Sequence, residues 1–469
     1  MSSYLNKQPP PPPPPRAAHA PPAPPPTASS SLAPPQPRRG HRHAQSVHYN
    51  DAPDLDFSQP RQPATAKRDR ASSRVSSSGS TPPARDSASP APMVPAAPPE
   101  GSLPIYQPPP PAPLEPALER RLGPRIGEFR FPADVLSFKQ IDPAVPLKLF
   151  ILFIPGNPGI VHYYRAFLEA LRDALPPDLR VATEMSIVGH LRHTPDAGDD
   201  RGYKPTDQPT LEEQVIDKVT YIELLAVHHK LGREGSPKLV VLGHSLGSWI
   251  ALQLFKHVPQ HITAMHALFP AFSHLATTPN ARRLGRLLSP WSLRPLYLTS
   301  SAISYLPTSV SARLVRTLGG ISDLSADATL AFVQSPEAVL ASLVTAQQEL
   351  AQITDLETGV LERYGDRVWI YWAAEGVDGW TTEDAIRECE EVLERVFGEE
   401  GRKRRKRCVE GMPHAFVLNE AHTASLARKC AGWIVDDLAS LESKDSKSDE
   451  TASAPENKQD DEKEGKDTA

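Results

Sequence analysis

The pentapeptide Gly243-His244-Ser245-Leu246-Gly247 constrains this chain more than any other feature, because of what flanks it. Lys238 to Leu242, just before it, ends in a strand-like apolar run; Ser248 to Val258, just after it, places Trp249, Ile250, Leu254 and Phe255 at helical spacing. A serine with glycine two residues before and two after can occupy a sharp strand-to-helix turn. Only small flanking residues permit that strain, and the turn projects the hydroxyl above the sheet. The pentapeptide alone recurs by chance, and an ordinary turn with a spectator serine is the alternative. The strand before it and the amphipathic helix after it favour the elbow.

The rest of the middle region repeats this alternation of buried-strand runs and helix-period segments, the pattern of a mostly parallel sheet flanked by helices, so the fold class is α/β. Glu128 to Phe131 and Val135 to Phe138 read as a leading pair of strands, Leu149 to Ile154 as a strand buried on both faces, and Arg180 to Ile187 as the next. Thr210 and Glu213 have capping-box spacing ahead of Leu211, Val215, Val219, Ile222 and Leu225, which predicts a helix running into the strand at Lys238. Ile262 to Phe269 and Arg367 to Trp372 are further strands, with a helix at Glu383 to Phe397. The long insertion between those two strands, about 271–350, reads as a helical cap.

The two ends differ in kind. Residues 1–120 are built of proline runs such as Pro9 to Pro15, Ser/Ala tracts and scattered arginines, and such a segment cannot bury enough apolar surface to offset its ordering entropy. Residues 442–469 are rich in Lys, Asp, Glu and Ser and read as a solvated charged tail. The expected domain is therefore 126–441, between two disordered ends. Cys389, Cys408 and Cys430 are odd in number and lack zinc or disulfide spacing, which points to a reducing intracellular compartment and to no metal or cofactor. Proline replaces the apolar core of a secretion signal, and no run of 18 apolar residues suggests a transmembrane helix. A net charge of −5 argues against a general nucleic-acid binder. The basic run Arg402 to Arg407 reads as an exposed loop, with a targeting or lipid-headgroup patch as the alternative.

The chemistry follows from the serine. Its turn aims the Leu246 N–H at a developing oxyanion, and a second donor is expected from the loop after Leu149 to Ile154, which reads Pro155-Gly156-Asn157-Pro158-Gly159. The Asn157 N–H is the candidate; the same residues also suit a tight turn for conformational reasons alone. A serine hydroxyl needs a base, and the fold's chain order is serine, acid, histidine. His414, in Gly411-Met412-Pro413-His414-Ala415-Phe416, lies in a loop after the last strand-like residues, where the base belongs. Glu375 and Asp378 both follow the strand Arg367 to Trp372. Asp378, in a turn-forming context, is preferred on the residues, with Glu375 still open.

Taken together, these residues resemble the lipid droplet-associated hydrolase family. The resemblance rests on Ile154 to Gly159 with Tyr163, Tyr164 and Phe167, on the elbow, on Leu268-Phe269-Pro270 with Ser273, Pro279 and Asn280, on Asp378-Gly379-Trp380, and on Pro413 to Val417. It spans about Leu147 to Trp433 and implies an α/β-hydrolase fold with Ser245, Asp378 and His414 as triad. It also implies residence on lipid droplets and a part in neutral-lipid turnover or storage; the expected location is the droplet's cytoplasmic side, with the endoplasmic reticulum as a further candidate. Gly379 and Thr382 stand where the family leads one to expect proline.

The expected function is hydrolysis of a lipid ester through an acyl-enzyme on Ser245. Acyl transfer by the same triad and a lipid-droplet scaffold with weak or no activity are the alternatives. Between about Ala281 and Gly320, Leu287, Leu288, Trp291, Leu293, Leu296, Tyr297, Leu298 and Leu306 accompany Arg282, Arg283, Arg286, Arg294, Arg313 and Arg316, and no Asp or Glu occurs between Glu234 and Asp323. That composition suits docking on the droplet's phospholipid surface, or a cap packed on its own domain.

Overall fold

A computed structural model describes residues 115–125, 130–195, 206–285, 288, 290–317 and 323–452. Contacts divide the chain into units 1–102 and 103–469, and every described residue belongs to the second. Its strands are β1 (Ala117–Leu122), β2 (Pro132–Phe138), β3 (Leu149–Ile154), β4 (Thr183–Val188), β5 (Lys238–His244), β6 (Ala264–Leu268), β7 (Val368–Trp372) and β8 (Arg405–Arg407). Its helices are α1 (Arg165–Ala174), α2 (Pro177–Val181), α3 (Leu211–His229), α4 (Leu246–Leu254), α5 (Pro279–Leu284), α6 (Pro290–Ser304), α7 (Thr308–Thr317), α8 (Asp323–Val333), α9 (Pro336–Gln352), α10 (Thr358–Tyr364), α11 (Glu383–Lys403) and α12 (Glu420–Ala452).

The strands form one sheet in the order β1-β2-β4-β3-β5-β6-β7-β8. β2 runs antiparallel to both neighbours, and every pairing from β4 to β8 is parallel. This is the α/β-hydrolase arrangement. The LFILFI run of β3 explains its central place, since all six residues are buried. Successive side chains point to opposite faces. Phe150, Leu152 and Ile154 pack with Val219, Ile222, Ile250 and Leu393 on one face, while Leu149, Ile151 and Phe153 pack with Phe167, Leu171, Leu426 and Ile434 on the other. The chain leaves β3 for β4 on one side and later returns to β5 on the other, so the loops after β3 and β5 diverge at the sheet's carboxyl edge. Such a reversal opens the crevice where α/β sheets bind ligands.

Several expectations change in detail. Of the Glu128 to Phe131 strand reading, residues 128 and 129 lie outside the described residues and Arg130 and Phe131 are not in a strand; the strand ahead of β2 is β1, which begins inside the 1–120 stretch. β1 carries no apolar period because it is an exposed edge, held by its ladder to β2 and by the Arg120–Asp134 and Arg121–Asp217 ion pairs at 2.8 and 2.5 Å. Arg402 to Arg407 is not a loop: it closes α11 and forms the edge strand β8. Its charges meet acids of α11 and α12, with Lys403 on Glu400 one turn back in α11 at 2.6 Å, Arg404 on Asp437 of α12 at 2.5 Å and Arg407 on Glu383 of α11 at 2.6 Å. α12 stays helical to Ala452, past residue 442 where the sequence reads as a tail, since a packed helix propagates cheaply into Glu-, Lys- and Ala-bearing sequence.

Candidate active site

Ser245 stands at φ 53°, ψ −119°, between β5 and α4, a strained conformation for a residue with a side chain. The flanking glycines make it possible. A Cβ on Gly243 would lie 2.4 Å from the Gly247 carbonyl oxygen, and one on Gly247 2.1 Å from that of Ile154. Ser248 Oγ closes the turn by donating to the Gly243 carbonyl at 2.7 Å.

His414 Nε2 lies 2.9 Å from Ser245 Oγ, and His414 Nδ1 lies 2.7 Å from Asp378 Oδ2. A carboxylate only accepts, so Nδ1 carries the proton and the Nε2 lone pair faces the serine. The Asp378 carboxylate is itself held, with Oδ1 accepting from the Trp380 N–H at 2.7 Å. Glu375 is exposed, and the carboxylate that meets His414 Nδ1 is that of Asp378. The Leu246 N–H is at the first turn of α4, where helix geometry supplies no intrahelical acceptor. The loop after β3 abuts the serine from the other side, since a Cβ on Gly156 would lie 2.9 Å from Ser245 Cβ. Asn157 follows it, with a cis bond to Pro158. Ser245, Asp378, His414, Leu246 and Asn157 are thus brought together.

Two further residues hold this geometry, and sequence reasoning carried them only as motif positions. His244 Nε2 meets the His414 carbonyl oxygen at 2.9 Å, so this nitrogen must donate. His244 Nδ1 is then the acceptor of the Tyr164 hydroxyl at 2.7 Å, and that hydroxyl oxygen accepts from the Gly156 N–H at 3.0 Å. Burial keeps both groups neutral, pushing the His244 imidazole well below its ordinary value and the Tyr164 phenol up. One chain of hydrogen bonds therefore ties the Gly156 loop, the elbow and the His414 loop. A polar ring beside the serine was the visible signal; its partners are 80 and 170 residues away. Among the described residues, no group of three or more His, Cys, Asp or Glu is placed to hold a metal ion.

A profile of the family described as lipid-droplet associated hydrolase matches residues 147–417, which hold all of these groups. The chain belongs to the lipid-droplet associated hydrolase family. The lipid droplet-associated hydrolases of Gallus gallus and Homo sapiens are 27% and 26% identical to it, each alignment covering 63% of this chain and 87% of the relative. That of Drosophila melanogaster is 22% identical, covering 60% and 88%. Among solved structures, the peroxisomal alpha-beta-hydrolase Lpx1 of Saccharomyces cerevisiae is 12% identical with a TM-score of 0.47, covering 73% of this chain and 98% of that one. Haloalkane dehalogenase DbeA of Bradyrhizobium elkani is 13% identical with a TM-score of 0.44, covering 69% and 99%.

As a member of the lipid-droplet associated hydrolase family the protein is a hydrolase. Its non-proline residues after Asp378 have local uses. The Gly379 carbonyl accepts from the Asn280 N–H at 2.9 Å, and Thr382 Oγ1 caps α11 by accepting from the Ala385 N–H at 3.2 Å.

Proposed function

We propose that the protein hydrolyses a lipid ester at the lipid-droplet surface, with Ser245 as nucleophile, His414 as base and Asp378 as its orienting acid. The observation that carries this reading is the line from Ser245 Oγ through His414 to Asp378, at 2.9 and 2.7 Å. In the first half-reaction Oγ attacks the ester carbonyl carbon while its proton passes to His414 Nε2. The carbonyl oxygen, now an anion, lies against the Leu246 and Asn157 N–H groups. The bond to the alcohol then breaks, the alcohol leaves with the proton from His414, and the acyl group stays on Ser245. Water then attacks the acyl carbon as its proton passes to His414, and the bond to Oγ breaks as His414 returns that proton to Ser245, releasing the acid.

The lipid partner is argued from the family and from the cap. α6, α7 and the turn between them expose Leu298 (60%), Tyr305 (88%), Leu306 (40%) and Val310 (49%) beside exposed Arg294, Arg313 and Arg316, in a stretch without acids. Apolar anchors beside unopposed arginines complement an anionic phospholipid monolayer. This set differs from the one read from sequence: Leu288 is buried, Leu293, Leu296 and Tyr297 are half-buried, and Leu287 and the Trp291 side chain lie outside the described residues. No single described helix is long and apolar enough to cross a membrane; α8 and α9 reach that threshold only together, and they meet at 95°.

The experiment is fluorophosphonate labelling beside a panel of lipid esters. Covalent labelling of the wild type, lost together with lipid-ester turnover in Ser245→Ala and His414→Ala, is the expected result. An unlabelled wild type, or a Ser245→Ala protein that still turns over ester, overturns the proposal.

A further inference from the structure

The Asn157 side chain reaches the cap. Its Nδ2 donates to the Ser342 carbonyl oxygen at 2.9 Å and to Glu349 Oε1 at 2.8 Å, so cap helix α9 takes both amide hydrogens. The next residue is held from the same helix through a bridge. The Pro158 carbonyl oxygen accepts from His193 Nδ1 at 2.6 Å, and His193 Nε2, left as acceptor, meets the Thr345 hydroxyl at 3.1 Å. Residues 342, 345 and 349 fall at i, i+3 and i+7, one face of the helix, and all three are buried.

Glu349 is the costly member of this face. Among the described residues no cation pairs with it, and burial lifts its carboxyl to about 7 despite the Asn157 hydrogen bond. A leucine would pack there without the desolvation cost that a buried carboxyl carries, so packing alone does not explain an acid at this position.

We propose that Glu349 is a positioning residue for the reaction at Ser245: through its hydrogen bond to the Asn157 side chain, cap helix α9 sets the backbone N–H of Asn157 against the oxyanion. Cap and oxyanion hole then form one mechanical unit, and displacing α9 withdraws a donor from the transition state while leaving the serine and its base in place. This rests on the reading of Asn157 as an oxyanion donor.

Glu349→Leu removes the acceptor and keeps the bulk; Glu349→Gln keeps an acceptor oxygen at the same place. The readouts are kcat and KM on p-nitrophenyl butyrate, inhibition by a trifluoromethyl ketone that forms a tetrahedral oxyanion on Ser245, and the thermal midpoint. For Glu349→Leu, kcat is expected to fall about tenfold or more, the size of a weakened oxyanion donor, with KM within about twofold. Ketone affinity should fall in step with kcat/KM, and Glu349→Gln should restore both. Glu349→Leu with kcat and ketone affinity within about twofold of wild type overturns the proposal, as does a lowered midpoint without loss of ketone affinity. If Glu349→Leu does not fold, Thr345→Val reads the same face through His193. It should show a smaller loss of the same kind, and unchanged kcat and ketone affinity overturn the proposal there. Ser245→Ala separates the two levels: an active Ser245→Ala sinks the site itself, whereas a dead one beside an unaffected Glu349→Leu sinks only the clamp.

Discussion

At the scale of single residues, function depends on which atom carries each proton. Asp378 fixes the His414 tautomer by accepting from Nδ1, so Asp378→Asn presents a group able to donate to that nitrogen and frustrates the base. Activity should drop by up to about four orders of magnitude, while Glu375→Gln stays near wild type. Steady-state kinetics on a short-chain ester would decide, and the reverse ranking would remove Asp378 from the mechanism. Tyr164→Phe makes a subtler cut. It strips the Gly156 N–H of its acceptor and His244 Nδ1 of its donor at a buried site, where each orphaned group costs roughly 1–3 kcal/mol. The variant should melt several degrees lower and lose kcat, because the Gly156 loop, the elbow and the His414 loop are no longer tied. A Tyr164→Phe protein with wild-type melting and turnover would show that the chain of hydrogen bonds is ornamental.

At the scale of elements, the cap separates two tasks. α9 turns a polar face onto the Asn157 loop, whereas α6, α7 and the turn between them leave Leu298, Tyr305, Leu306 and Val310 exposed. Replacing those four by serine should reduce flotation with lipid droplets and leave soluble-ester turnover within about twofold, since exposed side chains contribute little to the fold. Flotation equal to wild type would exclude this face as the docking surface. β8 makes the converse point. The basic run that ends in it has a headgroup patch as the alternative to an exposed loop when read as a string of letters, yet Asp437 of α12 pairs with Arg404 and Glu383 of α11 with Arg407 once the chain is folded.

At the scale of the whole molecule, buried titratable groups set the pH response. Burial pushes His190 and His244 well below the ordinary 6.5 and His193 down to about 4. Their stabilising contribution is present above 6.5 and is lost as pH falls, because the unfolded chain then binds protons that the folded one refuses. Glu349, lifted from 4.5 to about 7, acts oppositely: its contribution is present below 4.5 and is lost as pH rises through about 7. Between pH 6.5 and 5 the three histidines outweigh the one carboxyl, at up to about 1.4 kcal/mol per pH unit each. The urea midpoint should therefore fall between pH 7.5 and 5, and fall more steeply in Glu349→Gln, which lacks the opposing group. A flat midpoint in the wild type, or a shallower one in the variant, would contradict this balance. Residues 1–114 should be dispensable for catalysis on composition alone, while a cut at 124 also removes β1; labelling of the two truncations compares them. The sequence by itself determined the α/β class, the central strand, the elbow, the capped helix α3 and the serine-to-histidine order, because each is written in contiguous spacing: an apolar run, glycines two residues either side, a cap and its partner three apart. Asp378 is preferred over Glu375 on the residues and implied by the resemblance, and packing places its carboxylate on His414; tertiary structure alone decided that Tyr164 and His244 bridge three loops, that a basic run ends in an edge strand, and which cap residues face out. Those facts depend on contacts between residues far apart in the chain and on burial that only packing confers, and neither leaves a local period to read.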